Sequence, residues 1–247
     1  ADGMSEFEET EVRRNTALFI NEIGKELRLP RLATATALVF FHRFYALQSF
    51  RRHFVFDVGV SCLFLASKVE ESPKKLQDVI GTGYSIFHDN KNAPVLDLES
   101  PAFEEMRGRI LTCERILLHT MGFDLCVEHS YSFIIDTLKA AEHSRMIADG
   151  MKKEIAQKAV NFMNDSQRTS LCLQFLPQKI AAASILLALM HLDIPVSSER
   201  AAKWEQTLGI NETEFDVISE QILEAYPSYI RSDRSMEPLM SRMVERS

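Results

Sequence analysis

Residues 57–70 read Asp-Val-Gly-Val-Ser-Cys-Leu-Phe-Leu-Ala-Ser-Lys-Val-Glu, and their first two turns leave no side for water. A helix without a polar face must be surrounded by other elements. The small residues Gly59, Ser61, Cys62 and Ala66 let those neighbours approach closely. One helix of this kind demands a bundle packed around it. Nine Gly and eight Pro in 247 residues are too few for a collagen-like or linker-dominated chain, or for a sandwich or barrel that turns every ten residues.

The helical period runs through almost the whole chain. From Glu9 to Leu29, Val12, Thr16, Phe19, Ile20, Ile23 and Leu27 form one stripe, and Pro30 marks the stop. A second helix is expected from Arg31 to Ser49, burying Leu32, Ala35, Val39, Phe40 and Tyr45. The surrounded helix follows. Ser72-Pro73 reads as a cap with Pro at the first helical position, opening a fourth helix to Phe87. The polar stretch His88–Ser100 is the longest loop. Ser100-Pro101 repeats the device and opens a fifth helix through Met121, stopped by Gly122. Further helices are expected at Ser130–Ala140, Met146–Asp165, Pro177–Leu192, Ser198–Leu208 and Asn211–Ala225. Asn211 and Glu214 stand at capping-box spacing.

The two halves resemble each other. Ala181-Ala-Ala-Ser-Ile-Leu-Leu-Ala188 repeats the sense of Gly59-Val-Ser-Cys-Leu-Phe-Leu-Ala66 at an offset of 122 residues. Near the same offset Val160-Asn-Phe-Met-Asn falls on Val39-Phe-Phe-His-Arg. The fold expected is all-α, two five-helix bundles in tandem, each with an apolar third helix.

Charge and motif bound the function. A net charge of -7 argues against a nucleic-acid binder, because such affinity rests largely on Lys and Arg neutralising phosphate. Cys62, Cys113, Cys126 and Cys172 form no C-x-x-C pair and read as reduced thiols. Cys126 and His129 have ligand-like spacing but no second pair, so no metal site is expected. The longest apolar run, Ile180 to Met190, is interrupted only by Ser184 and falls short of the roughly 20 residues a membrane span needs. The polar, acidic opening residues carry no signal-peptide pattern. No phosphate loop, nucleophile elbow or zinc-helix motif occurs; Gly81-Thr-Gly83 is too short to cradle a phosphate. No catalytic constellation and no cofactor are expected.

Two charges stand out of place. In the fifth helix Ile110, Leu111, Leu117, Leu118 and Met121 share a face, and Glu114 completes the stripe. A carboxylate there is costly unless paired. The surrounded helix ends its apolar run with Lys68, flanked by Ala66, Ser67 and Val69. Lys68 and Glu114 are therefore expected to face each other where the helices cross, at a surface that presents charge to a partner; the plainer alternative is that each reaches water alone. Arg13 adjoins the apolar face of the first helix and His42 follows Phe40-Phe41. The pattern alone favours solvated positions for both. Arg51-Arg52-His53 and Lys74-Lys75 read as solvated faces, with an acidic or phosphorylated partner as the sharper alternative.

At these residues the sequence resembles a known family. Leu65-Ala-Ser-Lys-Val-Glu-Glu71 is similar to the third-helix signature of the cyclin box, and Glu114-Arg-Ile-Leu-Leu-His-Thr-Met-Gly-Phe123 to its fifth-helix signature, about 45 residues on. Phe41-His-Arg-Phe-Tyr45 with Gln48-Ser-Phe50, and Val69-Glu-Glu-Ser-Pro-Lys-Lys75, resemble the transcription cyclins of the T, K and L types. Asn161-Phe-Met-Asn-Asp-Ser-Gln-Arg-Thr169 looks most like the L type. The resemblance covers about residues 8–230. It implies a first cyclin box over 10–125 and a second over 126–230, with a flank at 1–9 and an extension at 231–247. Of the first-helix Met-Arg-Ala-Ile-Leu motif of cell-cycle cyclins, Val12-Arg-Arg-Asn-Thr16 keeps only Arg13, and His42 replaces its usual Asp partner. A structural pair of Arg13 with His42 is implied, without the cell-cycle docking groove.

The resemblance further implies a non-catalytic regulatory subunit of a cyclin-dependent serine/threonine kinase, acting on the RNA polymerase II C-terminal domain. Lys68 and Glu114 match the pair that contacts the kinase near its αC helix. Glu71, Phe64 and Phe123 match positions lining the same face, with core packing the competing role for both phenylalanines. A nuclear protein, monomeric when free and without direct nucleic-acid binding, is expected. The alternative is a TFIIB-like general transcription factor core that binds promoter DNA; it needs a zinc ribbon and a basic face, and neither is evident.

Overall fold

The computed structural model describes residues 3–88, 96–143, 147, 150–194 and 208–226. The chain divides into two compact units, residues 1–127 and 128–247. Every regular element among the described residues is a helix. The first unit holds α1 (Glu6–Glu26), α2 (Arg31–Leu47), α3 (Val55–Val69), α4 (Leu76–Phe87) and α5 (Pro101–Thr120). The second holds α6 (Ser130–His143), α7 (Lys152–Ser166), the short α8 (Leu171–Gln174), α9 (Pro177–His191) and α10 (Glu212–Glu224).

In the first unit α3 touches α1, α2, α4 and α5. Phe56, Val58, Gly59, Val60, Ser61, Cys62, Leu63, Leu65, Ala66 and Ser67 are all buried, as a helix with no polar side requires. Its fully buried Ser61 is satisfied at the α5 crossing: the hydroxyl donates to the Ile110 carbonyl at 3.1 Å. Close approach is bought with glycine at two places. A Cβ on Gly24 of α1 would stand 2.4 Å from Thr34 Oγ1, and one on Gly83 of α4 would stand 3.0 Å from Val60 Cγ2. The Gly81–Gly83 pair thus lies inside α4, where Gly83 is a packing contact.

α1 starts three residues before Glu9, because Ser5 and Glu8 form a full capping box. Its buried face is Arg13, Thr16, Ala17, Ile20, Ile23 and Gly24, so Thr16, Ile20 and Ile23 of the expected stripe are buried while Val12, Phe19 and Leu27 are only partly covered. In α2, Leu32 is 41% exposed and Val39 is half-buried, while Phe41, His42 and Phe44 are in the core. In α5, Leu111, Leu118 and Met121 are half-buried and Cys113 is buried instead. The cap at Ser100 holds, accepting from the Phe103 N–H with Pro101 at the start. Ser72-Pro73 does not open α4, which begins at Leu76 with no side-chain cap. That dipeptide belongs to the end of α3.

The end of α3 is a Schellman turn. The Ser72 N–H bonds the Ser67 carbonyl and the Glu71 N–H bonds the Lys68 carbonyl, with Glu71 at φ +51°. The same turn closes α1 at Arg28, α5 at Gly122 and α9 at Asp193. Only α5 uses glycine there. A side chain in the left-handed region costs roughly 1–2 kcal/mol. Glu71→Gly is therefore expected to raise stability by about 1 kcal/mol, read as a higher urea midpoint, and Glu71→Val to lower it.

In the second unit α9 touches α6, α7, α8 and α10 and is buried along most of its length. The 122-residue offset carries Val55 onto Pro177, Val69 onto His191 and Glu71 onto Asp193, so α3 and α9 correspond end to end. α6 runs to His143, three residues beyond the expected end, and α7 starts at Lys152 rather than Met146. α8 was not anticipated. The helix expected over Ser198–Leu208 lies outside the described residues except for Leu208.

α10 opens on the Asn211–Glu214 capping box, and Lys179 Nζ donates to Glu214 Oε2 at 2.7 Å. The lysine and the Asn211 N–H hold the Glu214 carboxyl below the usual carboxylate value. A lowered folded value means this support is complete above the ordinary pKa and is lost as pH falls through the lowered one. The start of α10 should fray on acidification below about pH 4.5, visible in two-dimensional NMR as loss of the Glu214 amide shift. Lys179→Met should move that pH step up toward the ordinary carboxylate value without removing it, because the Asn211 N–H still holds the carboxylate.

Candidate protein-binding site

Lys68 lies in the last turn of α3, and Glu114 lies on the face of α5 turned toward it. The Lys68 ammonium donates to Glu114 Oε1. It also sits over the Phe64 ring, 4.2 Å from the centroid. Phe64 precedes it by one helical turn, which stacks the two side chains on one face. The pair is lopsided: the Lys68 side chain is 42% exposed and that of Glu114 only 11%. Burial of the carboxylate makes the lysine necessary, since an unpaired buried charge is far costlier than an exposed one. An ammonium has three donors, and this one uses one on Glu114 while the lysine side chain as a whole stays 42% exposed. The crossing therefore offers a fixed cation, pinned by a carboxylate and a ring, to whatever docks there.

The other residues of the face lie at helix ends. Glu71 is exposed just past α3, held in the left-handed region by the Schellman turn. Phe123 follows Gly122 past α5, also with positive φ (+60°), and is 62% exposed. Its ring meets His119 edge-on at 5.6 Å. Core packing therefore does not account for Phe123, and Phe64 is half-buried. Sequence reading missed Glu70: it accepts the Thr36 hydroxyl at 2.7 Å and ties the end of α3 to α2. A Glu-Glu doublet gives no hint of which carboxylate turns inward.

Arg13 and His42 are buried, against the solvated positions the pattern favoured. Arg13 belongs to the buried stripe of α1, and its guanidinium spends its donors inside. Nε donates to Glu9 Oε1 at 2.8 Å and NH2 to the Tyr45 carbonyl at 3.0 Å. NH1 lies 3.4 Å from His42 Nδ1. Arginine has no acceptor, so this contact is a hydrogen bond only with Nδ1 accepting. The guanidinium also covers the Phe50 ring at 5.1 Å, which stacks on Tyr45 at 3.7 Å. This cluster fixes α1 on α2 and lies within the fold rather than on a binding face. Burial pushes the Tyr45 phenol well above its usual range, and it donates to the His53 carbonyl.

Cys62 and Cys113 are buried, Cys172 is half-buried and Cys126 is exposed. Burial pushes the Cys113 thiol up to about 11, so it is protonated at neutral pH. Among the described residues no three His, Cys, Asp or Glu side chains gather as metal ligands, and no helix is long and apolar enough to cross a membrane.

The family model for the cyclin N-terminal domain matches residues 2–126. The chain is 36% identical over 226 residues to Cyclin-T1-3 of Oryza sativa subsp. japonica, covering 91% of this chain and 45% of that protein. It is 34% identical over 227 residues to Cyclin-L1 of Gallus gallus, covering 92% of this chain and 41% of that one. It thus spans less than half the length of these relatives. In structure it is similar to a chain of the yeast RNA Pol II CTD kinase CTDK-1 complex, with a TM-score of 0.74 at 20% identity over 99% of this chain and 78% of that one. At that identity the likeness speaks for the fold. The sequence likeness runs through both the α3 turn that carries Lys68 and the α5 turn that carries Glu114, and this chain belongs to the cyclin family.

Proposed function

We propose that this cyclin is the non-catalytic regulatory subunit of a cyclin-dependent kinase of the transcription and RNA-processing group. The observation that carries the reading is the 42% exposed Lys68 side chain, its ammonium pinned between Glu114 and Phe64 at the α3–α5 crossing. Lys68 and Glu114 would bind backbone groups next to the kinase αC helix, with Glu71, Phe64 and Phe123 flanking them. A kinase is active only when αC is swung in, so that its Glu pairs with the Lys that holds the ATP phosphates, and when its activation loop is ordered. The cyclin supplies no reacting group. It binds the αC-in state more tightly than αC-out and shifts the population by that difference.

The substrate proposed is the RNA polymerase II tail. The T- and L-type relatives and the named activity of the yeast complex support it. A nuclear location and a free monomer are proposed with it. The net charge of -7 favours a protein partner over nucleic acid. The deciding experiment mixes the purified chain with candidate kinases and follows phosphorylation of a polymerase-tail peptide. One kinase gaining activity on addition of the chain is the expected result. Failure of every such kinase, with binding to a promoter duplex at physiological salt, would replace this reading with a DNA-binding one.

A further inference from the structure

The last turn of α3 carries Lys68 and leads directly into Glu71, so its orientation decides how the docking face is presented. Main-chain bonds close it locally. The Glu70 N–H bonds the Ala66 carbonyl at 2.9 Å, the Glu71 N–H bonds Lys68 at 3.2 Å and the Ser72 N–H bonds Ser67 at 2.8 Å. Two side-chain bonds then reach from the turn to other helices. One joins Lys68 to Glu114 of α5. The other comes from α2, where the Thr36 hydroxyl donates to Glu70 Oε1 at 2.7 Å. The turn is braced from two sides.

Thr36 is fully buried, and a hydroxyl there needs an acceptor. Glu70 is the C-cap of α3 and half-buried. A carboxylate at that position meets the negative end of the helix dipole, and the next residue is a second glutamate. The local setting is equally poor for both. The choice of which one turns inward therefore comes from another helix, through the Thr36 hydroxyl. A donor to an ionised acceptor makes a stronger bond than a neutral pair. It commits Glu70 to α2, and the left-handed Glu71, at φ +51°, is left exposed.

We infer that Thr36 is a positioning residue of the docking face: from inside the fold it selects which of two adjacent carboxylates a partner meets and holds the Lys68 turn in one orientation. Thr36 itself is out of a partner's reach, so its effect on binding must travel through Glu70. The consequence for binding rests on the kinase reading, whereas the hold on the turn does not.

Thr36→Val removes the hydroxyl at nearly constant shape, and Thr36→Ser keeps it. Glu70→Ala breaks the same bond from its half-buried end, and tests it even if Thr36→Val fails to fold. Two measurements are needed. In amide hydrogen exchange on the chain alone, the Glu71 and Ser72 amides should exchange about tenfold faster in Thr36→Val and in Glu70→Ala, and at the parental rate in Thr36→Ser. A variant that only weakens the whole fold would speed the Cys62 amide in the middle of α3 and leave these two unchanged, and that pattern overturns the inference. In the kinase titration, Thr36→Val and Glu70→Ala should each raise the half-maximal concentration about tenfold, and the double variant should raise it no further, because both act through one bond. Parental values in the folded single variants, or losses that multiply in the double, overturn it. Lys68→Ala separates the two readings. If it too leaves the titration unchanged, the kinase partnership fails, and amide exchange alone decides whether Thr36 holds the turn.

Discussion

Lys68→Glu is expected to abolish kinase activation while leaving a folded protein. The substitution sets a second carboxylate beside Glu114 and removes the cation the kinase would meet. Truncating one partner of a charge pair at an interface costs several kcal/mol, so about 3 kcal/mol, or roughly a 100-fold loss of kinase affinity, is expected even for Lys68→Ala. The cost to the isolated fold should be smaller, about 1–2 kcal/mol, because the lysine is 42% exposed and water can reach the carboxylate it leaves. The double variant Lys68→Ala/Glu114→Ala should recover most of that stability and none of the activation. Titrating each variant into a fixed kinase concentration reads the affinity, and urea melts read the fold. An unchanged half-maximal concentration for Lys68→Ala would remove the pair from the interface.

Arg13→Ala is expected to be the more damaging change for the fold. Arg13 is 6% exposed and serves the Tyr45 carbonyl, Glu9 and the fully buried His42 ring. Deleting it strands two buried acceptors and uncovers the Phe50 ring. About 3 kcal/mol should be lost, on the order of 10 °C in Tm for a chain of this size. Arg13→Lys should recover only part of this, because a single ammonium cannot reach three partners in the fork geometry. Thermal melts by circular dichroism measure both. A loss below about 1 kcal/mol would mean that water replaces the guanidinium.

Much of the architecture was legible because burial writes itself into helical period. The α3 run with no polar face required a surrounding bundle, and its echo at 122 residues located α9. Ser100-Pro101, Gly122 and the Asn211–Glu214 box set helix ends, because caps act through neighbours in sequence. Ser72-Pro73 misled for the same reason seen from the other side. Cap and Pro are local signals, but here the long-range packing of α3 needed a Schellman turn, and Ser72 serves that turn. The buried face of α1 takes in Arg13 beside the expected Thr16, Ile20 and Ile23, and no pattern of apolar residues can reveal a buried arginine.

The sequence by itself determined an all-α chain of repeated bundles around apolar third helices, and it singled out Lys68 and Glu114 as charges at apolar positions. Those properties are local or periodic, so residue type and spacing suffice. Only the tertiary structure decided that the Lys68 ammonium stacks on Phe64 while its side chain stays 42% exposed, that Phe123 is exposed, and that Asp57 Oδ1 is buried without a partner. Each of these depends on how helices distant in sequence cross and on what is left uncovered when they do.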